Sequence, residues 1–122
     1  MNEWKLKQFK NIVNTFLENC DFDMEEALEE RLDLLSDMGN MCKRPVSEPL
    51  GEGLFALRAR ENRRQVRLIY YFKPKMHKVI IFVHAFYKKT RSILPRDIEK
   101  AKKNKKFIEE EEGEVNEINL TN

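Results

Sequence analysis

The stretch Lys78-Val79-Ile80-Ile81-Phe82-Val83-His84-Ala85-Phe86 decides the fold of this 122-residue chain. From Val79 to Val83 every position is apolar. A strand with one wet face would alternate, so this run predicts a strand covered on both faces and central in its sheet. Two earlier runs, Leu54–Arg60 and Gln65–Phe72, are rich in β-branched, aromatic and long apolar residues. Polar turns separate the three, Glu61-Asn62-Arg63-Arg64 and Lys73-Pro74-Lys75-Met76-His77. Connections this short demand antiparallel neighbours. Phe55, Leu57, Leu68, Tyr70, Phe72, Phe82 and Phe86 are the expected core of this half, because their burial is what stabilises a covered sheet. Tyr71 and Tyr87 stay open between core and surface.

Outward from the sheet, Gly39, Pro45, Pro49, Gly51 and Gly53 mark residues 39–53 as loop. Upstream, Ile12, Val13, Phe16 and Leu17 recur at helical spacing from Asn11 to about Asn19. Asp23 with Glu26 predicts a capped start for a second helix, with Met24, Ala27, Leu28, Leu32, Leu35 and Met38 on one face and Gly39 to end it. The two form an expected hairpin. Before Asn11, Trp4-Lys5-Leu6-Lys7 alternates like a strand, yet Leu6, Phe9, Val13, Phe16 and Cys20 also continue a helical stripe. Downstream, Pro95 opens a last helix with Asp97 and Glu99 in its first turn. Ile98, Ala101 and Ile108 face inward, and Lys100, Lys102, Lys103, Lys105 and Lys106 spread around the rest. Glu109–Asn122 is acidic, without apolar period, and expected to be partly disordered. Residues 1–112 are expected to form one domain and 113–122 a flexible acidic tail, in solvent rather than over the basic half.

A formal net charge of +2 conceals a strong partition. Residues 1–50 hold 6 Lys/Arg against 11 Asp/Glu, residues 51–108 hold 17 against 4, and residues 109–122 hold 0 against 6. The middle block, at +13, attracts a polyanion. No apolar run is long enough to span a bilayer, and the N-terminus lacks a signal peptide's apolar stretch, so a cytoplasmic protein away from membranes is expected. Cys20 and Cys42 lack zinc-site or disulfide spacing and are expected as reduced thiols. Neither a metal nor a cofactor is expected.

No catalytic triad, paired-carboxylate site or phosphate-binding glycine loop is visible, and the histidines are His77 and His84. The chain offers instead arginine and lysine near strand ends. Arg58 and Arg60 share a face, Arg67 follows across a turn, and Lys88, Lys89 and Arg91 come after the central strand. Such a cleft suits RNA cleavage by the substrate's own 2′-hydroxyl, where the protein orients the nucleophile, neutralises the phosphorane and helps move protons. An arginine inside an apolar strand is costly unless paired or facing a ligand, which singles out Arg58 and Arg67. His84 is either a satisfied core histidine or a proton carrier.

From Leu50 the segment Leu50-Gly51-Glu52-Gly53-Leu54-Phe55-Ala56-Leu57-Arg58 resembles the "LgdGlyELR" signature of phage-derived HigB-like toxins in the RelE/ParE superfamily. Val66–Phe72 resembles their "yRvlYff" strand, His84–Thr90 their "hgFvKKT" and Leu94–Ala101 their "tPkrEIekA". The resemblance implies an α+β, RelE-like fold, with a helical hairpin and a C-terminal helix packed on a small antiparallel sheet, and it favours a strand at Trp4–Phe9. It implies the toxin of a type II toxin–antitoxin pair, a metal-independent endoribonuclease (mRNA interferase) acting on mRNA at the ribosome and inhibiting translation. Its implied partner is a helix-turn-helix antitoxin encoded by a neighbouring gene; no small-molecule ligand is expected. Catalytic candidates are Arg58, Arg67, Lys88 and Lys89, with His84 or Tyr87 assisting because the family's late tyrosine falls at Pro95. The family's "ELR" glutamate is Ala56 here. Arg60, Arg63, Arg64, Arg91, Lys102 and Lys103 make up the wider RNA-binding candidates. A gyrase inhibitor of ParE type and a degenerate binding protein are the alternatives on the same scaffold.

Overall fold

In the computed structural model, which describes residues 3–111 and 115–120, Val79–Tyr87 is the middle of a six-stranded sheet. The strands are β1 (Lys5–Phe9), β2 (Ser47–Gly51), β3 (Leu54–Glu61), β4 (Arg64–Phe72), β5 (Val79–Tyr87) and β6 (Val115–Glu117). The helices are α1 (Ile12–Glu18), α2 (Phe22–Met38) and α3 (Pro95–Glu111). The spatial order is β2-β3-β4-β5-β1-β6. This is an α+β fold consistent with the RelE-like expectation, and β5 is covered on both faces as its apolar run requires. Ile80 and Phe82 join Leu57, Leu68 and Tyr70 in the core beneath α1 and α2; Val79, Ile81 and Val83 join Ile69 and Tyr71 beneath α3. Full burial of each such side chain contributes about 1.5–3 kcal/mol.

Several expectations change. Residues 5–9 are a strand, which resolves the N-terminal ambiguity, and β1 runs parallel to β5, so the sheet is not purely antiparallel. β2 forms within the segment read as loop; an edge position tolerates Pro49, which has no N–H to donate. α2 starts two residues early: Asp21, not Asp23, is its cap and accepts the Met24 N–H at 3.0 Å. Gly39 does end it, at φ +52°. α1 and α2 pack chiefly on β5 and β3 respectively, rather than on each other as a tight hairpin.

The tail also departs from expectation where it is described. Residues 109–111 continue α3, and β6 pairs antiparallel with β1. Gln8, fully buried, explains the docking. Its Oε1 accepts the Val13 and Asn14 N–H groups at the start of α1, and its Nε2 donates to Asn116 Oδ1 and the Glu117 carbonyl. Ile118 and Leu120 then pack against the α1/α2 core. The rest of the acidic tail, residues 112–114 and 121–122, lies outside the described residues. Among the described residues no helix is long and apolar enough to cross a membrane.

Candidate functional site

Two registers and one irregularity build the site. Antiparallel pairing sets Arg58 of β3 opposite Arg67 of β4, and Arg67 opposite Phe86 of β5. One row nearer α3 come Glu48, Ala56, Ile69 and His84, one from each of four adjacent strands. The β4–β5 register slips here: Ile69 faces His84, while Tyr70 faces Phe82. Val83 is the extra residue of this bulge, and Val83, His84 and Phe86 all end on the α3 face, with Ala85 and Tyr87 on the other. Without the bulge strict alternation would send His84 and Phe86 away from the arginines.

Arg67 is 3% exposed and held by three bonds. Its Nε donates to Glu48 Oε1 at 3.3 Å, Nη1 to the Val66 carbonyl at 3.1 Å and Nη2 to Gln65 Oε1 at 3.1 Å. Of five guanidinium N–H groups, two are left for a ligand. Burial, and then the Arg58 charge, lowers its pKa while Glu48 opposes them; an arginine this basic stays charged. Arg58 makes no side-chain hydrogen bond or ion pair among the described residues. Lys88 completes the cluster. Burial, then Arg67, pushes its ammonium below the ordinary lysine value, with Arg58 adding to this and Glu48 opposing it. Its Nζ donates to the carbonyls of Thr90 and Arg91 at 2.8 and 2.7 Å, which sets the loop after β5.

His84 Nε2 lies 2.8 Å from Asp97 Oδ1 in the first turn of α3, and its ring stacks on Phe86 with centroids 5.1 Å apart. A cleft of about 410 Å³ beside it is lined by Phe86, Lys88, Lys89, Leu94, Arg96 and Asp97, among others. The sheet thus brings Arg58, Arg67, Lys88 and His84 together on one face, with Lys89 at the adjoining cleft. Glu48, which sequence reading missed, is the carboxylate of this face. It stands directly across from Ala56, where the resembling family has its glutamate, so a neighbouring strand supplies the acid. The signal was concealed because residues 39–53 read as loop.

Other candidates fall elsewhere. Tyr87 points to the opposite face, packing on Phe16 at 5.0 Å with its hydroxyl 3.6 Å from Cys20 Sγ, and with Phe16 it forms the far wall of the Lys88–Lys89 cleft. Arg64 is occupied by Asp21, at 2.6 Å, and by Glu61, beside α2. Arg60 donates to the Asn62 carbonyl at the exposed turn that also carries Arg63. Arg91 lies in the loop that holds Lys88. Lys102 pairs with Glu52 and Glu99, whereas Lys103 lies in a groove along a different flank of α3. Among the described residues no group of three or more His, Cys, Asp or Glu is placed to hold a metal ion.

Residues 15–106 match the family model described as phage derived protein Gp49-like, which spans 92 of the 122 residues. No curated protein sequence matches the chain.

Proposed function

The chain belongs to the Gp49-like family of phage-derived proteins, a family associated with toxin–antitoxin toxins, and on that premise we propose that it is a translation-inhibiting endoribonuclease toxin. The observation that carries the reading is the Arg58–Arg67 pair with Lys88 beside it, on the part of the α3 face next to His84. Three cations in one place, answered by one carboxylate, leave an excess of positive charge that a phosphate satisfies.

The chemistry needs no cofactor, because RNA brings its own nucleophile. Glu48 takes the 2′-hydroxyl proton, and the freed oxygen attacks phosphorus. Arg58, Lys88 and the two spare N–H groups of Arg67 neutralise the pentacovalent phosphorane. The P–O5′ bond then breaks, His84 hands a proton to the departing oxygen, and the products are a 2′,3′-cyclic phosphate and a 5′-hydroxyl. Phe86, stacked on His84, gives a neighbouring base an aromatic surface. The substrate in this reading is mRNA on the ribosome in the cytoplasm, and a helix-turn-helix antitoxin from a neighbouring gene is the neutralising partner.

Primer extension on mRNA after brief induction tests this. New cleaved ends with growth arrest, both lost in Arg58→Ala and in Arg67→Ala, are the expected result. Intact message with DNA damage would replace it with a gyrase-directed toxin. Growth arrest and cleaved ends that persist in both variants would remove the arginine-based site.

A further inference from the structure

We propose that the groove between α3 and the end of β1 is a second seat for single-stranded RNA, taking the strand as it leaves the cleaving site; this rests on the nuclease reading above. The groove encloses about 400 Å³, and Phe9, Lys10, Lys100, Lys103, Lys106 and Phe107 form its apolar floor and basic rim. Lys100, Lys103 and Lys106 follow one another at three-residue spacing and so share a helix face. Their availability sets them apart. On a different flank of α3, Lys102 pairs with Glu52 at 2.6 Å and Lys105 donates to the Glu52 carbonyl at 3.4 Å. The three groove lysines have no ion pair among the described residues, and Lys10 sits over the Phe9 ring at 5.1 Å.

Phe107 is 40% exposed and meets Phe9 edge-on at 5.9 Å, which leaves part of a phenyl ring uncovered amid four ammonium groups. Nucleic acid answers both features at once, since each nucleotide carries a phosphate for the rim and a π-face for the ring. An acidic polypeptide answers the lysines alone. The carboxylates Glu110 and Glu111 close the end of the groove remote from Asp97. Lys10 links the groove toward the site: it also lines a second cavity, of about 580 Å³, whose wall is formed by α1 residues together with His84 and Ala85. A strand held at Arg58 and Arg67 can cross the end of β5 past His84 and enter the groove at Lys10.

Fluorescence anisotropy of the full chain with a labelled 2′-O-methyl oligouridine dodecamer, which lacks the free 2′-hydroxyl needed for its own cleavage, tests the proposal. Phe107→Ala, and separately Lys103→Glu with Lys106→Glu, should each weaken binding about tenfold with unchanged thermal melting. Phe107→Trp should retain it. The lysine variant should also flatten the dependence of affinity on salt. Unchanged dodecamer affinity in both groove variants, with weakening in Arg58→Ala, overturns the groove and leaves the nuclease reading standing. Loss in the groove variants without loss in Arg58→Ala keeps the RNA seat and fails the nuclease reading. Polyglutamate displacing the dodecamer as well as unlabelled oligouridine does would make the groove an acidic-protein seat and overturn the proposal.

Discussion

Arg58 and Arg67 face each other across neighbouring antiparallel strands, two like charges side by side, and among the described residues only Arg67 of the two has a carboxylate partner, Glu48 at 3.3 Å. Like charges directly opposite in a sheet destabilise it by about 0.2–1 kcal/mol. A protein that retains such a pair on its structured sheet holds a repulsion that a bound anion relieves.

The two arginines should therefore separate stability from activity. Arg58→Gln removes the repulsion and breaks no bond, so urea unfolding should show stability equal to or about 0.5 kcal/mol above the parent, with RNA cleavage reduced at least tenfold. Arg67→Gln breaks three hydrogen bonds and leaves Glu48 only its longer, exposed ion pair with Arg44 at 3.6 Å, so it should cost about 1–3 kcal/mol as well as activity. Equal destabilisation by both would mean that the Arg58 charge is not strained in the free protein.

Acid and alkali should reveal a second cluster, the buried Tyr71 with Glu109 and Lys73 at its surface end. Burial pushes the Glu109 carboxyl up, but hydrogen bonds from Lys73 and Tyr71 outweigh it and hold it below the ordinary value. Its folded pKa is thus lowered. Its contribution is complete above the unfolded value of about 4.3 and is lost as pH falls through the folded value. Burial pushes Tyr70 up to about 12 and Tyr71 up as well, so their contribution is complete below the unfolded value of about 10 and is lost as pH rises above it. Tyr71→Phe should cost about 1–2 kcal/mol at neutral pH, because the 2.5 Å bond to Glu109 goes with the hydroxyl. That cost should shrink once Glu109 is protonated. A cost independent of pH between 3 and 7 would assign the effect to packing alone.

Gly39 is the position where a methyl group should be least tolerated. It ends α2 at φ +52°, and an added Cβ would overlap the indole of Trp4, whose backbone is bonded to the Ser36 carbonyl and hydroxyl and whose ring packs edge-on against Phe72. Strain and overlap act together, so Gly39→Ala should destabilise by about 3 kcal/mol or more. A shift of melting temperature within a degree of the parent would show that the indole can move aside freely.

The parts of the fold legible beforehand were those written in local pattern. The Val79–Val83 run gave β5 its central place, the turn residues gave antiparallel β3, β4 and β5, and Pro95 and Gly39 gave two helix ends. What escaped depends on distant partners. β1, expected as a strand from the resemblance, runs parallel because β5 offers it a free edge; β6 forms because Gln8 and β1 receive it, and β2 because β3 pairs even with Pro49. The same holds for the site. Arg58, Arg67, Lys88 and His84 were visible as residue types, but Glu48 was hidden in the apparent loop, and the bulge at Val83 leaves no mark in composition.

That bulge makes the last prediction, because it reverses the roles of two neighbours. Counting by twos from Phe82 assigns Tyr87 to the α3 face and His84 to the other; the observed register does the opposite, setting Tyr87 against Phe16 and Cys20 and His84 against Asp97 and Phe86. Tyr87→Phe should leave RNA cleavage within twofold of the parent, since the hydrogen-bond partner of its hydroxyl among the described residues is the Cys20 thiol. His84→Phe keeps an aromatic ring on Phe86 and removes the nitrogen atoms, so cleavage should fall by about 10²-fold or more, the scale of a lost proton donor, while the thermal melt stays close to the parent. Asp97→Asn, which keeps a hydrogen-bonding group beside the imidazole, should lie between the two. Rates measured on one RNA substrate decide the matter: a Tyr87→Phe loss as large as that of His84→Phe would return the proton to the tyrosine and contradict the bulged register as the working arrangement.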